Sequence, residues 1–546
     1  MDIEATLKSL TQAEKIQLVG GKDFWQTVDF PEKGVRSIWL SDGPHGLRKE
    51  DAKHVKENGG HSVKATCFPP ECALACSWNE DLIFEVGAAI AKECIANDVD
   101  VLLGPGVNIK RSPLCGRNFE YYSEDPLLAG KLGAAMIRGV EQQGIGSSLK
   151  HFAVNNQETQ RMSISAEVDA RALHEIYLKP FEIAVKEGNP STVMCSYNRV
   201  NGTYSAENKM LLTEILRNQW GFDGLVMSDW GAVSNRAHGL EAGLDLEMPT
   251  AGNYHAQAIS AALENKTLSQ EALDEACRNV LRLVKKCHAT PKGAAYEQKE
   301  HHALAVKALE QSAVLLKNEA EALPCCPSEK VVFIGAMAGQ EGRYQGAGSS
   351  IINPNEKVDF CKAFETITGR IPEFATGYKL NTDQTDPKLE NEALTLAQDA
   401  EKVVCFIGLT DIYETEGYDR NTLSLPVNQL RLLEKLAQCN ENLIVVLIAG
   451  SPVAMPFLPK VKAVLYLALG GEGYGQAAYN LLFGIANPSG KLADTWPDAL
   501  EDTPCAQHYP MGPRVVTYNE SIYVGYRYYD KAQKNVLFPF GYGLSG

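Results

Sequence analysis

From about residue 38 to about residue 290, short apolar runs alternate with stretches whose apolar residues recur at three- and four-residue spacing. That alternation is the mark of βα units wrapped around a parallel sheet. The apolar runs predict strands at residues 37–40, 99–103, 147–150, 192–196, 225–228 and 244–248, with helices between them, for example over 81–95 and 170–186. A βα half of about 290 residues has the size of a (β/α)8 barrel. Six clear strands in place of eight predict an irregular one. Residues from about 288 to 300 lack an apolar period and carry Pro291 and Gly293, so they read as a linker. A second alternating set follows, with strands at 331–334, 403–407, 443–448 and 464–467 and helices near 428–438 and 476–482. The expected fold class is α/β: a TIM-like barrel over residues 1–287, a linker over 288–312, and a smaller α/β sandwich over 313–546.

Composition narrows the setting. At roughly 150 residues per domain, 546 residues suggest two to four domains, and 45% hydrophobic with 22% charged is the balance of a chain that buries large cores. Disorder, collagen and small disulfide scaffolds are excluded. Fifty-two basic against 68 acidic side chains leave a formal charge of -16, which repels phosphate backbones and gives no basic face to a membrane. Neither nucleic acid nor a membrane is an expected partner, and apolar runs such as 443–449 fall far short of the ~20 residues that a span needs. The 14 cysteines are scattered, without CxxC or a Cys/His grouping of zinc spacing, so no metal and no cofactor is expected. They read as buried reduced thiols. The start Asp2-Ile3-Glu4-Ala5-Thr6-Leu7 has neither a basic n-region nor an apolar h-region. The expected location is cytoplasmic, and the sequence leaves self-association into a homo-oligomer open.

Candidate chemistry sits at the strand ends of the first half. Leu40 runs into Ser41-Asp42-Gly43-Pro44-His45-Gly46, Leu149 into Lys150-His151, Ser196 into Tyr197-Asn198, and Ser228 into Asp229-Trp230. In a barrel the active site lies at the carboxyl ends of the strands, so these groups converge over its mouth. Any one of them reads equally well as a polar strand terminus; four together do not.

On these residues the sequence resembles the glycoside hydrolase family 3 β-glucosidases. The resemblance runs in order through Ser41 to Gly46, Gly116-Arg117-Asn118-Phe119-Glu120, Lys150-His151-Phe152, Tyr197-Asn198-Arg199-Val200-Asn201-Gly202 and Met227-Ser228-Asp229-Trp230. It continues in the second half through Gly346-Ala347-Gly348-Ser349-Ser350, Glu416-Gly417-Tyr418-Asp419-Arg420 and Phe538-Pro539-Phe540-Gly541-Tyr542-Gly543. The resemblance implies a retaining, exo-acting β-glucosidase that releases glucose from the non-reducing end of small β-glucosides or oligosaccharides. Retention needs a carboxylate nucleophile and a carboxylic acid ~5–5.5 Å apart. The family's nucleophile falls on Asp229, which must stay ionised, with Arg117, Lys150 and His151 as its cationic or donor neighbours. Asp42, Arg117, Lys150, His151 and Tyr197 fall on the positions that hold sugar hydroxyls. Trp230 is expected to face the sugar or simply to pack.

The family's acid/base comes from a loop of the second domain, and here two glutamates compete. Glu416, directly before Gly-x-Asp-Arg, is preferred to Glu414, and its pKa must be raised for it to keep a proton. Asp419 and Arg420 are expected to pin the loop by an ion pair. Hexosaminidase members place a His acid/base in a Gly-rich loop after Lys-His-Phe; Ala153 to Glu158 is not such a loop. Relatives that carry a fibronectin-like domain after Phe-Pro-Phe-Gly-Tyr-Gly, or a lectin-like insert, are longer than the sequence given. Other readings are a β-xylosidase or α-arabinofuranosidase of the same family, a catalytically dead sugar-binding protein, which the paired carboxylates oppose, and a nucleotide-binding protein using the Gly-rich stretch 335–350. That stretch does not fit GxGxxG and no Walker lysine follows.

Overall fold

The structure, a computed structural model, describes residues 1–50 and 61–545. Five parallel strands, Leu40–Ser41, Val101–Leu102, Gly146–Phe152, Thr192–Cys195 and Leu225–Met227, lie side by side in chain order. Single-residue bridges carry the ring further. Met227 pairs in parallel with Leu246 and Glu247 with Gly20, then Gly21 pairs antiparallel with Thr27 and Gln26 with Trp39, beside the first strand. The ring therefore closes through eight segments among the described residues, and the six predicted apolar runs fill six of its places. The other two come from the polar stretch 20–27, and one of them runs against its neighbours. This is a (β/α)8-like barrel of irregular closure.

Burial explains the apolar runs. All seven residues of Gly146–Phe152 are buried, because a barrel strand has the packed lumen on one face and helices on the other. The helix Glu80–Ala96 starts where the Asn79 side chain accepts from the Asp81 and Leu82 amides. Pro126–Gln142 starts where Asp125 caps Leu128 with Pro126 in the first position. The predicted helix at 170–186 is a helical run from Ala170 to Gly188 that includes the π-helical segments Leu173–Tyr177 and Ala184–Gly188.

The second domain is a six-stranded sheet in the order Val314–Asn318, Ala463–Tyr466, Leu443–Ile448, Lys402–Gly408, Val331–Ile334, Phe374–Ala375. All pair in parallel except Val314–Asn318, which is antiparallel at one edge. The four expected strands are its centre; of the two edge strands that were not expected, Phe374–Ala375 is only two residues long, whereas Val314–Asn318 does carry an apolar run, Val314-Leu315-Leu316.

The stretch expected as linker differs from expectation. Only residues 289–297 lack regular structure, and Gln298–Ser312 is a helix. Polar contacts hold it to both halves: His301 Nδ1 lies 2.6 Å from Glu93 on the barrel side and His302 Nδ1 lies 2.8 Å from Glu472 of the second domain. The chain also returns to the barrel near its end. Val515–Thr517 pairs in parallel with Ser165–Glu167, and Lys110 meets Asp494 at 3.3 Å. Arg111, with its guanidinium 3.9 Å from the Tyr518 ring centroid, forms a fully buried ion pair with Glu520. Removing one partner of such a pair strands the other charge. Glu520→Ala should therefore cost ~3–5 kcal/mol, seen as a lower denaturation midpoint, and the double variant R111M/E520L should recover most of that loss.

Candidate active site

The strand ends of the barrel open into a cavity of about 320 Å³. Asp42 follows Leu40–Ser41, Lys150 and His151 lie in Gly146–Phe152, and Tyr197 follows Thr192–Cys195. Asp229 and Trp230 follow Leu225–Met227, and Arg117 comes from the loop after Val101–Leu102. All seven line the cavity together with Glu416, which the second domain supplies. The pairing of Gly146–Phe152 with Thr192–Cys195 slips between Leu149 and Phe152, and the two residues at the slip, Lys150 and His151, both reach the cavity.

Asp229 is buried, and its two oxygens differ. Oδ1 accepts from the Trp230 amide at 2.7 Å, whereas Oδ2 has no hydrogen-bond partner among the described residues and lies 3.9 Å from His151 Nε2. Burial pushes its pKa up, against the pull of Arg117, the Trp230 amide, Lys150 and Arg161. His151 does not join those cations: burial, with Arg117 and Lys150 nearby, drives its pKa well below the usual range and keeps it neutral. It acts as a neutral donor. Asn155 donates to the Tyr121 hydroxyl (3.5 Å), which sits 3.0 Å from His151 Nδ1. With the Tyr121 hydroxyl donating to Nδ1, the single imidazole proton is on Nε2 and faces Asp229.

Asp42 lies 3.9 Å from Lys150 Nζ and 3.4 Å from Arg48 Nη1, and burial still lifts its pKa to about 6. Tyr197 donates to the Trp230 carbonyl at 3.1 Å. The indole N–H of Trp230 is taken by the Phe24 carbonyl at 2.8 Å, so its ring is held at the cavity wall beside Trp25. It both packs and faces the cavity.

The two competing glutamates separate cleanly. Glu414 is fully buried away from the cavity, with Arg343 Nη1 at 2.6 Å, the Gly450 amide at 2.9 Å and the Ser451 hydroxyl at 2.5 Å. Glu416 lines the cavity, with Arg161 Nη1 at 2.9 Å, the Ser349 amide at 2.7 Å and Arg117 Nη1 at 3.7 Å. Although burial opposes it, Arg117, Arg161 and the Ser349 contact hold its pKa well below the usual carboxylate range. The direction is thus opposite to the raised pKa expected of it. Asp419 and Arg420 do pin the loop, but not by pairing with each other. Asp419 accepts from the amides of Gly116, Glu158 and Thr159 and from the Tyr509 hydroxyl. Arg420 instead donates to the Ser451 hydroxyl and the Pro452 carbonyl.

Two contributors escaped the sequence reading, and a stretch that it noted takes a part it did not assign. Arg161 stands in a turn without apolar period, and it holds Glu416 while its guanidinium lies 4.9 Å from the Tyr197 ring centroid. Arg48 joins Asp42 to the Ser349 carbonyl at 3.1 Å. Of the Gly-rich stretch 335–350, Gly348 and Ser349 line this cavity. Gly348 has φ +117°, and a Cβ there would fall 2.4 Å from the Glu416 Cβ, so only glycine lets Glu416 approach. Among the described residues no cluster of side chains has the make-up of a metal site.

Comparison with known proteins bears on this arrangement. The profile described as glycosyl hydrolase family 3 N terminal domain matches residues 52–283, and that described as glycosyl hydrolase family 3 C-terminal domain matches residues 313–546. The chain is 48% identical to thermostable beta-glucosidase B of Acetivibrio thermocellus over 100% of its own length and 72% of that protein. It is 44% identical to an exo-alpha-(1->6)-L-arabinopyranosidase of Bifidobacterium longum, over 99% and 72%. Among solved structures, a Bifidobacterium adolescentis GH3 beta-glucosidase superposes with a TM-score of 0.94 at 43% identity, covering 99% of this chain and 78% of that one.

The Asp42 environment sets a pH dependence for sugar binding. A carboxylate offers its oxygens to hydroxyls more strongly than the acid does, and Asp42 ionises near pH 6. Affinity for glucose, titrated calorimetrically, should therefore fall roughly tenfold as pH drops through that region. Asp42→Asn should bind weakly at every pH and lose this dependence.

Proposed function

The chain belongs to glycosyl hydrolase family 3 and is a glycoside hydrolase, and from that premise we propose that it is a retaining, exo-acting β-glucosidase with Asp229 as nucleophile and Glu416 as acid/base. One observation carries the reading: two carboxylates from different domains face one cavity, and Asp229 Oδ2 is buried there without a hydrogen-bond partner among the described residues. A free, desolvated carboxylate oxygen is what attack on an anomeric carbon requires. Asp229 Oδ2 bonds to that carbon while Glu416 protonates the departing glycosidic oxygen. Glu416, now a carboxylate, then takes a proton from the water that cleaves the glycosyl ester. Arg117 and Arg161 favour the ionised form of Glu416. A sugar ring that excludes water and draws those guanidinium donors to its hydroxyls raises the Glu416 pKa as it binds.

The cavity supports exo action on a single ring. Its volume is at the low end for ligand sites, and Asp42, Arg117, Lys150, His151 and Asp229 close its floor as buried groups. The natural substrates we propose are small β-glucosides or short oligosaccharides. A second reading has one observation in its favour: the relative named for α-L-arabinopyranosides is almost as similar as the one named for β-glucosides. The 14 free cysteines, most of them buried, support a reducing and therefore cytoplasmic setting.

Asp229→Ala should lower turnover by roughly 10⁴-fold or more with the fold intact, and NMR of the first-formed sugar should show the β-anomer. Glu416→Ala should cost roughly 10²–10⁴-fold on alkyl glucosides, far less on dinitrophenyl glucosides, and azide should restore turnover as a β-glycosyl azide. Release of the α-anomer, or the acid/base pattern in Glu414→Ala, would sink the assignment. In a panel of nitrophenyl glycosides, the β-glucoside should exceed the β-xyloside and both arabinosides in kcat/KM. Missing the 6-hydroxyl leaves buried groups unpaired, at ~1–3 kcal/mol each.

A further inference from the structure

Glu158 is buried beside the cavity without lining it, and it makes two contacts to the residues around Glu416. Its Oε2 accepts from the Gly417 amide at 2.8 Å, which ties the Glu416 loop to the barrel, and from Arg161 Nη1 at 2.7 Å. The same Arg161 nitrogen is 2.9 Å from Glu416 Oε1, so one cation is shared by two carboxylates. The Glu158 amide meanwhile donates to Asp419 of the loop at 3.0 Å. Glu158 thus grips the loop through its side chain and its backbone at once.

We propose that Glu158 is a positioning residue for the acid/base carboxyl: it anchors the Glu416 loop across the domain boundary and competes with Glu416 for Arg161, leaving Glu416 free to hold a proton. This rests on the reading of Glu416 as the acid/base. The electrostatics agree. Burial lifts the Glu158 pKa to about 7 against Arg117, Arg161 and the Gly417 amide, with the Glu416 charge adding to the rise. Tyr121 and Cys115 lie in its field, with burial raising both, and Asp419 faces its backbone amide. Whatever charge Glu158 carries is withdrawn from the hold of Arg161 on Glu416.

Glu158→Gln separates this role from a structural one. Glutamine keeps an oxygen for the Gly417 amide and the same volume, but it no longer competes for Arg161 by charge. Glu416 should then be held ionised to higher acidity. On the full-length enzyme, kcat/KM for an alkyl β-glucoside should fall about tenfold, the effect of one pKa unit on the protonated fraction. For dinitrophenyl β-glucoside it should change less than about twofold, and the pH limb that Glu416→Ala abolishes should shift to lower pH. Glu158→Ala, which also frees the loop, should lower both substrates. Equal losses on both substrates with an unmoved limb in Glu158→Gln would overturn the proposal. Glu416→Ala serves as reference: if it shows no leaving-group dependence the reading beneath fails, and if it does while Glu158→Gln does not, the proposal alone fails.

Discussion

The carboxylate of Asp419 is the fixed point on which the rest depends. A site that draws Asp229 from one domain and Glu416 from another works as proposed only if the domains cannot drift, and a displacement of about 1 Å costs orders of magnitude. Asp419, three residues beyond Glu416, collects donors from both sides: the Gly116, Glu158 and Thr159 amides and the Thr159 hydroxyl of the barrel, and Tyr509 from the chain's return. Bonds to a carboxylate are the strong kind. Gly116 shows how tight the fit is, since a Cβ there would lie 2.0 Å from the Tyr418 carbonyl oxygen.

Around that point the site is built from charges taken out of water. Arg117 pairs with Glu120 and reaches Glu416, Lys150 faces Asp42, and Arg161 spans Glu158 and Glu416. Burial alone pushes every acid up and every base down, so the order of protonation is decided by which carboxylate has the cations. Glu416 has two guanidinium groups and is driven down; Asp229 has the same charges at longer range and is still driven up. These directions are the opposite of those that the proposed mechanism needs, and substrate has to turn them round. Sugar hydroxyls, which accept from arginine without carrying charge, are suited to do so.

How much of this was legible depended on the kind of signal. Six ring segments were visible because strands buried on both faces must be continuously apolar. Residues 20–21 and 26–27 were invisible because single bridges ask nothing of the sequence around them. The Gln298–Ser312 helix was missed because its buried face is made of alanines, His301 and Ser312, with only Val306 and Leu309 as larger apolar residues. At the site, residues at strand ends could be placed by the geometry of a barrel. Arg161 and Glu158 could not, since their importance lies in what Glu416 does across a domain boundary. Glu414 and Glu416 are two residues apart in similar sequence. What separates them is Arg343, which arrives from a different loop and takes Glu414 out of reach.

The second domain also shows why its loops serve a site that is not its own. In its sheet Val331–Ile334 lies between Phe374–Ala375 and Lys402–Gly408, so the order of strands reverses there. At such a switch point the loops leaving the two central strands diverge and leave a crevice beyond the carboxyl ends, where open α/β sheets hold their ligands. Here the loop after Val331–Ile334 carries Gly348 and Ser349, and the loop after Lys402–Gly408 carries Glu416. Both reach over to the barrel mouth, which is itself the carboxyl end of a parallel sheet. Two carboxyl-end surfaces face each other across one cavity, the barrel supplying a floor of buried charges and the sandwich a glycine-lined wall with a single carboxylate. Neither surface alone has both carboxylates, and the contacts on Asp419 and Glu158 are what make the pair one site.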